Sequence, residues 1–176
     1  MNFEPDETET LLGDLAARFA RERAEAGAPQ GLDADGWVQA LELGLPGAVL
    51  GEAAGGMGLG AVGAMIVAEA LGARHVALPW VTASVAPLVL LSELDGAGFA
   101  AMAADVAAAG DVALMALPVA EGPAAVTLSS GGRGAPGIRA IPEGGGWRLT
   151  GRGAPVADAE GAGRFLVPAT GDGKPE

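Results

Sequence analysis

The side chains that could do acid–base, nucleophilic or metal chemistry are few in this chain, and their spacing suits none of it. His75 is the only histidine and cysteine is absent. Without an acidic cluster at ligand spacing around it, His75 makes no metal site and reads as a structural residue in the turn after the third helix. Ser84, Ser92, Ser129 and Ser130 have no G-x-S-x-G context and no second histidine to choose from, so a hydrolase triad is unsupported. The carboxylates paired at Glu7/Glu9 and Asp33/Asp35 stand at helix starts, where capping and the helix dipole explain them. Residues 51–63, GEAAGGMGLGAVG, place Gly58, Gly60 and Gly63 in G-x-G-x-x-G order. A dinucleotide fold needs a buried strand before those glycines and an acidic residue about 20 positions later. Neither is present, so the loop reads as a tight approach to the third helix.

The elements that must position these residues divide the chain in two. In the first half apolar residues recur at helical spacing. Pro5 and Asp6 open a first helix, with Leu11, Leu12, Leu15 and Phe19 on one face and an end near Ala26 and Gly27. Asp33 caps a second, with Trp37, Val38 and Leu41 on its stripe and Gly44 and Pro46 as stop signals. A third, about 61–71, is expected to bury Val62, Met65 and Ile66 and to end at Gly72. Trp37 and Met65 both read as core residues. Two more helices fall at 81–94 and 97–108, the former kinked or broken by Pro87. Beyond Asp111 the pattern becomes short apolar or alternating runs, at 112–119, 125–128, 137–141, 146–149 and 164–167, punctuated by glycine-rich breakers. Helices followed by strands give an α+β class. The expected architecture is an all-α domain over residues 1–110 and an incomplete antiparallel β-domain over 111–176.

Half of the 176 residues are hydrophobic, enough for one sizeable core or two small ones. The longest apolar stretch, 76–91, is broken by Pro79 and Pro87 and is shorter than the roughly 20 residues that cross a bilayer, so no membrane partner is expected. The acidic N-terminus lacks the features of a secretory signal, and a cytoplasmic location is expected. The formal charge of −12, from 22 acidic residues against ten basic ones, repels phosphate polymers and excludes nucleic acid as a partner. Local arginines can still outweigh that average within a Debye length of about 10 Å, so net charge does not exclude a small anionic ligand.

Three segments, taken in order, carry a resemblance. MNFEPDETETLLGDLAARFARERA and GWVQALELGLPGAVLGEAAGGMGLG are similar to the opening helix and the tryptophan helix plus glycine loop of acyl-CoA dehydrogenases. AVGAMIVAEALGARHVALPWVTASVAPLVLL resembles their third helix and the connection after it. GGGWRLTGRGAPVADAEGAGRFLVPA resembles their β-domain hairpin. The family implies oxidation of the Cα–Cβ bond of an acyl-CoA thioester, with a glutamate removing the α-proton and the β-hydride passing to N5 of FAD. It also implies a homo- or hetero-oligomer with another chain of the same kind. The family's base belongs to a C-terminal helical domain, and no catalytic residue is assigned in this chain.

By the same resemblance the flavin-facing positions are Leu117, Val119, Ala120, Glu121, Pro155 and Ala157. The family's aromatic falls on Leu117, its flavin-binding threonine on Ala120, its stacking aromatic on Pro155 and its hydroxyl residue near N5 on Ala157; only Glu121 is retained. Each lost side-chain hydrogen bond costs about 0.5–1.5 kcal/mol, so the two missing hydroxyls weaken FAD binding roughly 5- to 150-fold. Two readings follow: a flavoprotein dehydrogenase or its N-terminal portion, inactive on its own, and a non-catalytic partner subunit with a degenerate flavin site.

Overall fold

The computed structural model describes residues 4–27, 31–94, 97–108, 113–115, 138–151, 158, 162–167 and 169–171. Helix α1 spans Glu7–Ala26 and begins with a reciprocal cap: Asp6 accepts from the Glu9 N–H at 2.8 Å, while the Glu9 carboxylate accepts from the Asp6 N–H at 2.8 Å. Helix α2, Ala34–Glu42, starts at Asp33, whose Oδ1 accepts from the Gly36 N–H at 2.9 Å. Two 3-10 turns, Leu45–Ala48 and Glu52–Ala54, lead to α3, Gly60–Ala73. A π-helical segment, Trp80–Val85, runs directly into α4, Ala86–Glu93, and α5 covers Ala97–Ala108.

The core lies among the helices. Leu12 and Phe19 of α1, Trp37 of α2, Leu45 and Leu50 after it, Val67 and Leu71 of α3, Trp80, Leu88 and Leu91 beyond, and Val106 of α5 form one buried cluster. Closeness sets which faces meet. On α3 the buried stripe is Gly63, Ala64, Val67 and Leu71, and a Cβ on Gly63 would stand 2.6 Å from the Ala48 carbonyl oxygen. Gly63 and Ala64 let the backbones approach at one end of this stripe, and Val67 and Leu71 fill the core beyond it, which turns Val62 and Met65 outward. The expectation that Val62 and Met65 are core is therefore wrong, since Met65 is 71% exposed and Val62 47%. Ile66 is half-buried against the core. Leu11 and Val38 also face outward, whereas Leu12, Phe19 and Trp37 are buried as expected.

Among the described residues five strands follow: β1 (Ala113–Met115), β2 (Ile138–Glu143), β3 (Gly146–Gly151), β4 (Arg164–Leu166) and β5 (Thr170–Gly171). Strands β2 and β3 form an antiparallel hairpin pairing Ile138 with Gly151 and Glu143 with Gly146. Its turn residues Gly144 and Gly145 both have positive φ, 59° and 77°, the backbone that two-residue hairpin turns require. The other pairings are parallel, β1 with β4 and β2 with β5. The sequence reading expects antiparallel pairing throughout. Parallel partners come from segments distant in the chain, which local alternation does not register. The strand expected at 125–128 lies outside the described residues.

Candidate functional site

The β half meets the helical half along a seam, and the π segment lies in it. Trp80 anchors this segment to α3, its Nε1–H donating to the buried Ala64 carbonyl at 3.1 Å. Pro87 explains why the helix widens here. It has no N–H to donate, and its ring clashes with the carbonyl four residues back in a regular helix. The Ala86 N–H instead donates to the Val81 carbonyl, five residues earlier, which is the π pattern. Pro87 then sits in the first turn of α4, where its missing donor costs nothing.

From this segment Thr82 reaches the β half. Its Oγ1–H donates to Oδ2 of Asp158 at 2.8 Å, across 76 positions of sequence. Asp158 adopts a left-handed backbone, φ 58°, which Asp tolerates better than most residues with a Cβ. Further along, Arg164 of β4 pairs with Asp105 of α5, and Ala162 and Leu166 pack on the helical core. Strand β1 lies against the π segment and α4. Beside Thr82, the Ser84 side chain is fully buried and its Oγ finds no hydrogen-bond partner among the described residues. An open groove of about 460 Å³ lies between the two small sheets and is lined by Ala140, Trp147, Leu149, Phe165 and Leu166 among others. Its lining brings no ionisable side chain.

The strongest electrostatic feature is away from the seam. Arg23 of α1 and Asp33 form a two-point pair, Nη2 to Oδ1 at 2.6 Å and Nε to Oδ2 at 2.8 Å, with side chains 15% and 6% exposed. Burial pushes the Asp33 carboxyl up, but the Arg23 hydrogen bonds, the Gly36 N–H and the Arg23 charge together outweigh it and hold the group below the usual carboxylate range. The same hydrogen bonds push the Arg23 guanidinium further up. The pair locks α1 to the start of α2, and the Asp33 N–H donates to the Ala77 carbonyl at 3.0 Å, tying in the segment before the π helix. It is a structural pair that aims the second helix.

Leu117, Val119, Ala120, Glu121, Pro155 and Ala157 lie outside the described residues. Their chemistry is nonetheless fixed by sequence. Five of the six have no hydrogen-bonding side chain, and Glu121 is an anionic acceptor at neutral pH. This donor set does not fit side-chain recognition of FAD. His75 is exposed in the turn after α3, with φ 55° and its N–H donating to the Gly72 carbonyl, which agrees with a structural role. The glycine loop contains the 3-10 turn Glu52–Ala54, with Gly55, Gly58 and Gly60 at positive φ, and lacks the strand a dinucleotide motif requires. Among the described residues no group of three or more His, Cys, Asp or Glu could hold a metal, and no helix is long and apolar enough to cross a membrane. Sequence reasoning overlooked Thr82 and Asp158 as a pair. The available signal was Pro87 inside a helical run, which marks where a helix must depart from regularity.

Comparison with known proteins places these features in a family. A family model described as acyl-CoA dehydrogenase, N-terminal domain, matches residues 6–98. No curated protein sequence matches the chain. Among solved structures, the ChsE4–ChsE5 complex from Mycobacterium tuberculosis is similar with a TM-score of 0.73 at 23% identity, over 98% of this chain and 46% of that one. A variant of the Tcur3481–Tcur3483 steroid ACAD has a TM-score of 0.71 at 29% identity, over 94% of this chain and 45% of that one. The FAD complex of PigA has a TM-score of 0.71 at 20% identity, over 99% and 46%. The chain thus spans less than half the length of each of these structures.

Proposed function

Because the chain belongs to the acyl-CoA dehydrogenase family through its N-terminal domain, we propose that it serves the α,β-oxidation of an acyl-CoA thioester. In this reading it is a cytoplasmic subunit of a two-chain assembly whose flavin contacts come chiefly from the other chain. Residues 1–110 form the helical domain and 111–176 the start of the β-domain. What supports the reading is that Leu117, Val119, Ala120, Pro155 and Ala157, the positions that the resemblance assigns to the flavin, carry no hydrogen-bonding side chain, in a chain that otherwise keeps the family's order of elements. Two of the similar structures are named as pairs of chains, which supports an assembly. This chain's own residues then shape and rigidify: the Arg23–Asp33 pair sets α2, the buried stripe from Gly63 to Leu71 seats α3, and the π segment presents Thr82 to the β half. No step is assigned to a residue of this chain as acid or base.

The test is turnover with a panel of acyl-CoA thioesters and an artificial electron acceptor, for the chain alone and co-expressed with a second acyl-CoA dehydrogenase-like chain. Turnover is expected only with both. Flavin-dependent turnover by this chain alone would overturn the proposal. A second reading, supported by similarity over 94–99% of this chain to parts of single chains of these structures, is the N-terminal portion of a flavoprotein dehydrogenase, itself inactive alone, with backbone N–H groups standing in for the lost side chains; absence of turnover on co-expression as well would favour it.

A further inference from the structure

The Thr82–Asp158 bond joins two features that are each unfavourable in isolation: a helix forced out of register by Pro87, and a non-glycine residue in a left-handed turn. We infer that Asp158 is a positioning residue, and that the helix defect made by Pro87 exists in the geometry that lets Thr82 fasten it. The chain of cause runs in one direction. Pro87 denies the ladder a donor, and the Ala86 N–H reaches back five residues to Val81. A regular helix would turn residues ahead of that point by a different angle about the axis, because each π turn holds an extra residue. Thr82, within the widened segment, thereby faces the β half.

Its hydroxyl has one proton and, among the described residues, two acceptors in range, the Asp158 carboxylate at 2.8 Å and the Pro79 carbonyl at 3.4 Å. The shorter, charge-assisted bond holds that proton. Without Asp158 the hydroxyl falls back to Pro79, and the π segment keeps its own hydrogen bonding while the β half loses its anchor. The latch is paired with a second fastening at the other end of the same stretch, Arg164 to Asp105. That pair is substantially exposed, and exposed pairs hold weakly. Among the described residues, Thr82–Asp158 is the less exposed of these two polar fastenings. The latch does not depend on the proposed function.

The experiment is peptide-resolved hydrogen exchange on the full chain, without flavin or partner, so its failure is distinct from failure of the proposed function. Asp158→Ala and Thr82→Val are each expected to speed exchange of the amides in 162–167 about tenfold, the effect of losing one hydrogen bond to a charged acceptor. Amides of α1 stay at their native rates. Asp158→Asn and Thr82→Ser keep the acceptor and the hydroxyl and are expected to stay within about threefold of native. The double variant Thr82→Val with Asp158→Ala should exchange no faster than either single one. Pro87→Ala, remote in sequence from β4, should speed the same amides, and adding Asp158→Ala to it should add little. Should Pro87→Ala fail to fold, the Thr82→Val and Thr82→Ser pair decides. Multiplicative effects of Thr82→Val and Asp158→Ala, unchanged exchange in Asp158→Ala, or amides in 162–167 already exchanging at the unprotected rate in the native chain would each overturn the inference.

Discussion

Replacing Asp33 separates what one carboxylate does for the helical core. Asp33→Ala removes the cap on the Gly36 N–H, worth about 1 kcal/mol at a typical helix start. It also strands Arg23, whose side chain is 15% exposed. Breaking a fully buried pair costs about 3–5 kcal/mol. Arg23 keeps some solvent and a long contact from Nη1 to Gln39 Oε1 at 3.4 Å, so the lower end applies. The expected loss is about 3–4 kcal/mol in total, since cap and pair share one oxygen and do not add fully. Asp33→Asn keeps an oxygen for the Gly36 N–H and loses the charge, for an expected loss of about 2 kcal/mol. Urea unfolding followed by far-UV circular dichroism measures both.

The pH dependence provides an independent check. The Asp33 carboxyl is held below its usual range in the folded chain. Its contribution is therefore fully present above the unfolded carboxylate value and is lost as pH falls through the lower folded value. Asp33→Asn should remove that acid-side component and leave stability near neutral pH flat. An Asp33→Ala loss under 1 kcal/mol, or an Asp33→Asn variant with the native acid limb, would refute the assignment of this pair as the lock between α1 and α2.

Gly63→Ala would push a Cβ to within 2.6 Å of the Ala48 carbonyl oxygen; a loss of about 1–3 kcal/mol is expected, measured by the same unfolding assay, because backbone and not a movable side chain is in the way. Met65→Gln, at a position 71% exposed, should change stability by less than about 0.5 kcal/mol, and a larger loss would mean that this face of α3 is covered in solution. Threonine restored at Ala120 and Ala157 together should tighten flavin binding by roughly 5- to 150-fold, read by fluorescence titration of FAD against the unsubstituted chain.

Much of the helical half is legible in the sequence because its determinants are local. The Asp6 and Asp33 caps, the glycine-rich approach to α3, and the helix break at Pro87 each follow from a residue and its near neighbours. The family resemblance is legible for a similar reason, since it rests on the order of such local signatures. The facing of α3 is not local. Hydrophobicity alone selects Val62 and Met65, yet contact with α1 and the turn at Leu45–Ala48 selects Gly63, Ala64, Val67 and Leu71, because close backbone approach buries more than bulk can. The parallel pairings β1–β4 and β2–β5, and the latch from Thr82 to Asp158, likewise join residues whose separation along the chain carries no periodic trace. Sequence determined where the helix had to fail, at Pro87. Only the packed structure decided what that failure would turn toward, because the direction of a side chain off a widened helix has no meaning until another element stands opposite it.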